Sequence, residues 1–259
     1  MKIWCQSCSG IGAGDLWSPY YESLKKHAKR ICKADTVCEF YGLGKTVPGV
    51  DRVRAAWHIC QQESIKNAIR AEKEGFDAFL MISTPDPGFR EIRELVDIPL
   101  VFITQATLQF SCLLAPNFAF IAHSQGLLHV LYELAERYGL KARMIPGGNL
   151  ESISYLDFKK AYEDPQPLID AFKHAAGQLV ARGATLIFPS ALPLSQWLID
   201  QNIQEIDGAT IIDPLGIALK ITELMVDLER LGIKRSKLGA YASPPKEMQE
   251  ALYKEFGIS

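Results

Sequence analysis

The sequence predicts an α/β protein built of two similar lobes, each a parallel sheet covered by helices. Two observations predict it. Short apolar, β-branched or aromatic runs alternate with longer segments of helical period, the pattern of parallel strands buried on both faces. A weak internal repeat also recurs: Glu74-Gly75 precedes a strand ending at Ser83, and Arg182-Gly183 precedes one ending near Ser190. Periodicity alone would equally describe a TIM barrel over a chain of this length. The repeat favours two lobes.

Taken in order, the apolar runs place strands near 2–6, 36–41, 77–82, 99–104, 117–122, 142–146, 184–188 and 209–212. Helical period places helices near 15–32, 53–74, 88–96, 106–115, 125–138, 166–182, 193–201 and 214–232. Gly75 and Gly139 follow two of these helices as C-terminal caps, and Pro167 and Pro214 suit first-turn positions, where the missing N–H costs nothing. At the end of the chain, Ser243 can cap a helix over 244–256 that begins at Pro244-Pro245. Its Met248, Leu252 and Phe256 form one stripe that must dock. Docking is expected on the parent lobe, or else over the cleft or on a neighbouring subunit. The first lobe spans 1–115, with 214–232 returning to it; the second spans 116–213, and 233–259 is a tail.

A hydrophobic share of 48%, a charged share of 22% and a net charge of -2 over 259 residues describe an ordinary soluble protein with no electrostatic case for nucleic acid or an anionic membrane. The basic patches at Lys25, Lys26, Lys29, Arg30 and at Lys234, Arg235, Lys237 are short solvated faces. No apolar run approaches the ~20 residues of a membrane span. Met1-Lys2-Ile3-Trp4-Cys5 turns polar at Gln6, too early for a signal sequence, so a cytoplasmic address is expected. The six cysteines are then expected to be free thiols. Cys5-x-x-Cys8 lacks a second Cys or His pair for structural zinc. Gly10-x-Gly12 would need its third glycine at Asp15 to bind a dinucleotide, and Gly42-Leu43-Gly44-Lys45-Thr46 would need a glycine at Glu39 to hold phosphate. That second stretch is read as a mobile loop able to reach a cleft. No metal or organic cofactor is expected.

The run Ala78-Phe79-Leu80-Met81-Ile82-Ser83-Thr84-Pro85-Asp86-Pro87-Gly88 resembles the signature of the aspartate/glutamate/hydantoin racemase superfamily, in which a buried strand enters a Cys-x-x-Asp-Pro-Gly turn. Ser83 stands at the cysteine. The family's second thiol is matched by Gly183-Ala184-Thr185-Leu186-Ile187-Phe188-Pro189-Ser190-Ala191. A gapless reading puts Ala191 there, and a one-residue slip puts Ser190 there. Asp213-Pro214 resembles the family's closing Asp-Pro and caps the helix after it. The resemblance runs from Lys2 to about Leu231. It implies two Rossmann-like α/β lobes, each supplying a turn to the cleft between them, and a homo-oligomer acting on a small carboxylate, imide or lactam without a cofactor.

Family chemistry removes and returns a proton beside a carbonyl. Paired thiols suit this because a thiol, with an ordinary pKa near ~8.5, can serve as base or acid. A serine hydroxyl cannot be a base unaided, so two-thiol racemisation is not expected here. Ser83 and Thr84 instead offer hydroxyls and turn amides to an enolate oxygen, and Ser83 could act as a nucleophile if a base activated it. The bland alternative for this pair is a turn whose hydroxyls satisfy only the backbone. Asp86 is read as structural, pairing with Arg90 or bonding backbone N–H groups. His123, at a strand end where the family commonly has threonine, is the group suited to proton exchange. Gln6 and Ser7 belong to the Gly/Ser-rich loop 6–14, whose Ser9-Gly10-Ile11-Gly12 is similar to a substrate-holding loop of glutamate racemases without its acidic residue.

Catalytic candidates are therefore Ser83, His123 and Ser190; substrate-binding candidates are Gln6, Ser7, Thr84, Ala191, Gln105 and Ser124, with Thr104 a further choice. The leading expectation is an isomerase acting through an enolate. Decarboxylation, elimination, serine-dependent hydrolysis, and small-molecule binding without catalysis are the alternatives.

Overall fold

A computed structural model describes residues 1–11, 18–50, 52–150 and 157–258. Gly12, Ala13 and Gly14 of the first-strand loop, and the start of the helix expected at 15–32, lie outside the described residues.

The first sheet contains β1 (Lys2–Gln6), β2 (Val37–Tyr41), β3 (Ala78–Met81) and β4 (Leu100–Phe102), parallel and ordered β2-β1-β3-β4. The second contains β5 (Ala119–Ala122), β6 (Gly148–Asn149), β7 (Leu186–Ser190), β8 (Glu205–Ile206) and β9 (Ala209–Ile211), ordered β6-β5-β7-β9-β8. Only β8 runs antiparallel, through a two-residue Asp207-Gly208 turn in which both residues have positive φ. That hairpin was not expected, although Asp-Gly is a strong hairpin signal.

The helices are α1 (Ser18–Ile31), α2 (Arg54–Lys73), α3 (Glu91–Leu95), α4 (Ile103–Leu114), α5 (Gln125–Arg137), α6 (Asp157–Lys160), α7 (Gln166–Ala181), α8 (Leu192–Asp200), α9 (Pro214–Arg230) and α10 (Lys246–Glu255). Strands buried on both faces explain the continuous apolar runs: every residue of β3 and β5 is buried. Alternation along β1 sends Ile3 and Cys5 into the core under α1 and α9, and Trp4 into the opposite core with Phe79, Phe102 and Ile69. Each such large apolar side chain contributes roughly 1.5–3 kcal/mol by leaving water. Helix α9 packs on α1, α4, β3 and β4.

Three expectations need correction. Residues 142–146 form no strand; a 3-10 turn at Lys141–Arg143 leads to one bridge, Phe118 to Met144, and pairing resumes at β6. Pro146 has no N–H to donate, and Gly147 passes so close to Phe120 O that a Cβ would lie 2.6 Å away. Helix α4 starts at Ile103, directly after β4, because the Asp86 carboxylate accepts from the Thr104 and Gln105 amides at 3.1 and 2.9 Å. In α10 the docked face is Gln249, Tyr253 and Phe256. Met248 stays exposed, and Ser243 accepts from Lys237 Nζ instead of capping. The helix docks beside α3, with Tyr253 Oη donating to Leu95 O at 2.6 Å.

Candidate active site

Four strands deliver their C-terminal turns to one cleft: β1 brings Ser7, Cys8 and Ser9; β3 brings Ser83 and Thr84; β5 brings His123; β7 brings Ala191. Ligands of open α/β sheets collect at such strand ends. Tyr20, Val50, Trp57, Leu127 and Leu192 supply apolar wall. Of the expected site residues, the structure thus brings together Ser7, Ser83, Thr84, His123 and Ala191. The others have different positions. Gln6 is fully buried beneath the loop, accepting from Trp4 Nε1 and Asn67 Nδ2 at 3.0 Å each. Gln105 accepts from Arg93 Nη2 at 2.8 Å, and Ser124 caps α5 by accepting from Leu127 N. Thr104 donates to Thr84 O at 2.7 Å, holding the turn from behind. Ser190 lies within β7, fully buried, and does not line the cleft; its neighbour Ala191 does.

The Ser83 turn is tied down from several directions. Ser83 Oγ accepts from the Cys8 amide at 2.7 Å, joining the β1 and β3 turns, and Asp86 N donates to Ser83 O. Asp86 itself is structural, as its sequence setting suggested, but its partners are the first amides of α4 and Tyr138 Oη at 2.7 Å, not Arg90. Burial pushes its carboxyl up to about 7, against the hydrogen bonds from Tyr138, Thr104 and Gln105 that pull it down. The start of the loop at Gly42–Thr46 is packed, whereas Gly44, Lys45 and Thr46 are exposed and do not line the cleft. Leu43 is buried, its amide donates to Ser9 O, and a Cβ on Gly42 would meet Ile11 and Ser9 backbone atoms within 2.7 Å.

Cys8 is the residue that sequence reasoning missed. It lines the cleft and packs with Cys60 of α2, Leu43 and Val47. The Cys60 thiol packed beside it holds the Cys8 thiol below the ordinary range; burial opposes this, and the Ser83 hydroxyl adds to the lowering. Cys60 is pushed up by the same contact. The signal was there in Ser7-Cys8-Ser9, three polar groups at a strand's C-terminal end. Reading Cys5 and Cys8 as a pair hid it, because Cys5 points into the core.

Thr84 Oγ1 is buried in the cleft wall with no hydrogen-bond partner among the described residues. Nor, among those residues, is any group of three or more His, Cys, Asp or Glu arranged to hold a metal ion. Among the described residues, no helix is long and apolar enough to cross a membrane.

Two sheets of mostly parallel strands whose turns meet at one cleft define an α/β scaffold of the racemase type. The chain belongs to the Asp/Glu/Hydantoin racemase family, whose model matches residues 19–222. It is similar to the hydantoin racemase of Pseudomonas sp. (strain NS671), at 26% identity over 74% of each chain. The hydantoin racemase of Paenarthrobacter aurescens is likewise 26% identical, over 76% of this chain and 78% of that one. Among solved structures, the allantoin racemase from Klebsiella pneumoniae superposes with a TM-score of 0.78 at 18% identity, covering 95% of this chain and 94% of that one.

Proposed function

We propose that this racemase-family protein is a cofactor-independent isomerase that moves a proton at the carbon beside a carbonyl, through an enolate. Its substrate is a small cyclic imide or lactam of the hydantoin kind, or a small carboxylate. The observation that carries the reading is Thr84 Oγ1. An unpaired buried hydroxyl costs about 1–3 kcal/mol, and this one stands in the cleft wall beside Ser83. A substrate oxygen would pair it. As the carbon loses its proton, charge gathers on that oxygen, and the Ser83 and Thr84 hydroxyls would stabilise it there more than in the ground state. His123, carried by the second sheet, exchanges the proton.

The first test follows the optical rotation of an enantiopure hydantoin bearing an isopropyl group at its acidic ring carbon, with no metal or cofactor added. Rotation decaying to zero supports the reading. Unchanged rotation, across hydantoins and allantoin alike, would refute it.

One observation favours a second outcome on the same enolate. Ala191, one of the two residues that match the family's second thiol, presents only a methyl group to the cleft wall, so protonation from one side alone would suit decarboxylation. Carbon dioxide released from a substituted malonate, without racemisation of hydantoins, would select it.

A further inference from the structure

We propose that Cys8 is a catalytic thiol of this site, exchanging the substrate's carbon-bound proton from the first sheet's wall while His123 serves the second sheet's wall. This rests on the enolate reading above. Family chemistry places its thiols after β3, where this chain has Ser83, and at the end of β7, where it has Ser190 or Ala191 and no thiol. The site then needs another group on the β3 side that can both take and give a proton, which Ser83 cannot do unaided.

Cys8 meets that need by position. It follows β1, the strand paired directly with β3, and its amide donates to Ser83 Oγ at 2.7 Å. The two residues therefore share one stretch of wall. Ser83 accepts through its oxygen in that bond, leaving its O–H to point at the Cys8 sulfur or at a substrate oxygen. An independent sign of a ligand at the same place is Thr84 Oγ1, 1% exposed and unpartnered among the described residues. Cys60, fully buried on α2 and packed against Cys8, favours the thiolate of Cys8.

The step balances without any further reactant. The Cys8 thiolate takes the proton from the acidic carbon, and the C–H electron pair moves into the carbonyl to make the enolate. A ring N–H of protonated His123 gives its proton to the carbon from the other side as the carbonyl re-forms. Cys8 is left as thiol and His123 as neutral imidazole, which is the state that carries the antipode back; exchange of both protons with solvent resets the pair.

The test uses the full-length protein and two readouts. The first needs no substrate: the ultraviolet absorbance of thiolate is titrated against pH for the unmutated protein, Cys8→Ser and Cys60→Ala. The component lost in Cys8→Ser should have a midpoint below the ordinary ~8.5, and Cys60→Ala should move it upward with an unchanged circular dichroism spectrum. A midpoint at or above the ordinary value would overturn the proposal whatever the substrate. The second readout is solvent deuterium entering the enantiopure isopropyl hydantoin. Cys8→Ser and Cys8→Ala should each lose at least ~10²-fold in rate, and Cys60→Ala should displace the pH profile upward in step with the thiolate. Equal exchange by the unmutated and Cys8→Ser proteins would remove Cys8 and leave the enolate reading intact. No exchange by the unmutated protein would remove the isomerase reading itself, and the catalytic role of Cys8 with it.

Discussion

Ser83 Oγ accepts the Cys8 amide proton at 2.7 Å, and this one bond joins the turn after β3 to the turn after β1 at the bottom of the cleft. It gives the hydroxyl two duties. It positions a neighbouring loop, and, on the enolate reading proposed above, it leaves a proton to offer a developing oxyanion.

Ser83→Ala should therefore show both losses separately. Removing one oxyanion donor costs about 10²–10³ in rate, and orphaning a buried amide costs about 1–3 kcal/mol in stability. Denaturant melts beside the exchange rate of Ser83→Ala would check this. Full activity with unchanged stability would mean that the bond does neither.

Asp86 should prove structural. Tyr138→Phe removes one of its three donors and should cost about 0.5–1.5 kcal/mol, while Asp86→Ala orphans the Thr104 and Gln105 amides and should cost more. Because the folded pKa stands at about 7, above the unfolded value, the contribution of Asp86 is fully present below about 4 and is lost as pH rises to about 7. Melting of Asp86→Asn and of the unmutated protein should differ most across that window. Identical pH dependence would contradict the assignment.

His27 makes the same kind of statement about the frame of the site. It is buried between α1, α8 and the start of α9, with Nδ1 at 2.9 Å from Gln196 Oε1 and Nε2 at 2.9 Å from Asp213 Oδ2, the latter off the line of a hydrogen bond. Burial works against its charged form, but Asp213 and Gln196 outweigh burial and raise its pKa. A raised histidine stabilises fully below its unfolded value near ~6.5 and loses that contribution as pH climbs through the folded value. Stability should fall over that range, and His27→Gln should flatten the fall. A stability rising over it would be inconsistent with the pair.

Local patterns made most of the fold legible. The buried runs of β1, β3, β5 and β7 declared themselves, as did the caps at Gly75, Gly139 and Asp213, because each depends on a few adjacent residues. What escaped depends on distant partners. The start of α4 is set by Asp86 in another turn, and the docked face of α10 is set by the Leu95 carbonyl, which accepts from Gln249 and Tyr253, rather than by its most apolar stripe. The same holds in the site. The places of Ser83, Thr84 and Ala191 in the cleft were legible from the resemblance to the family's turns, and that of His123 from its strand end, whereas Cys8 gains its character from Cys60, which sequence spacing cannot bring to it.

Proton exchange at carbon is most directly read by incubating the unmutated protein with enantiopure isopropyl hydantoin in deuterium oxide. Deuterium should appear at the acidic ring carbon of both recovered substrate and antipode, and His123→Asn should lose ~10²–10⁴ of that rate. A covalent mass adduct on Ser83, with no deuterium in either isomer, would contradict the enolate reading and assign the cleft to hydrolysis.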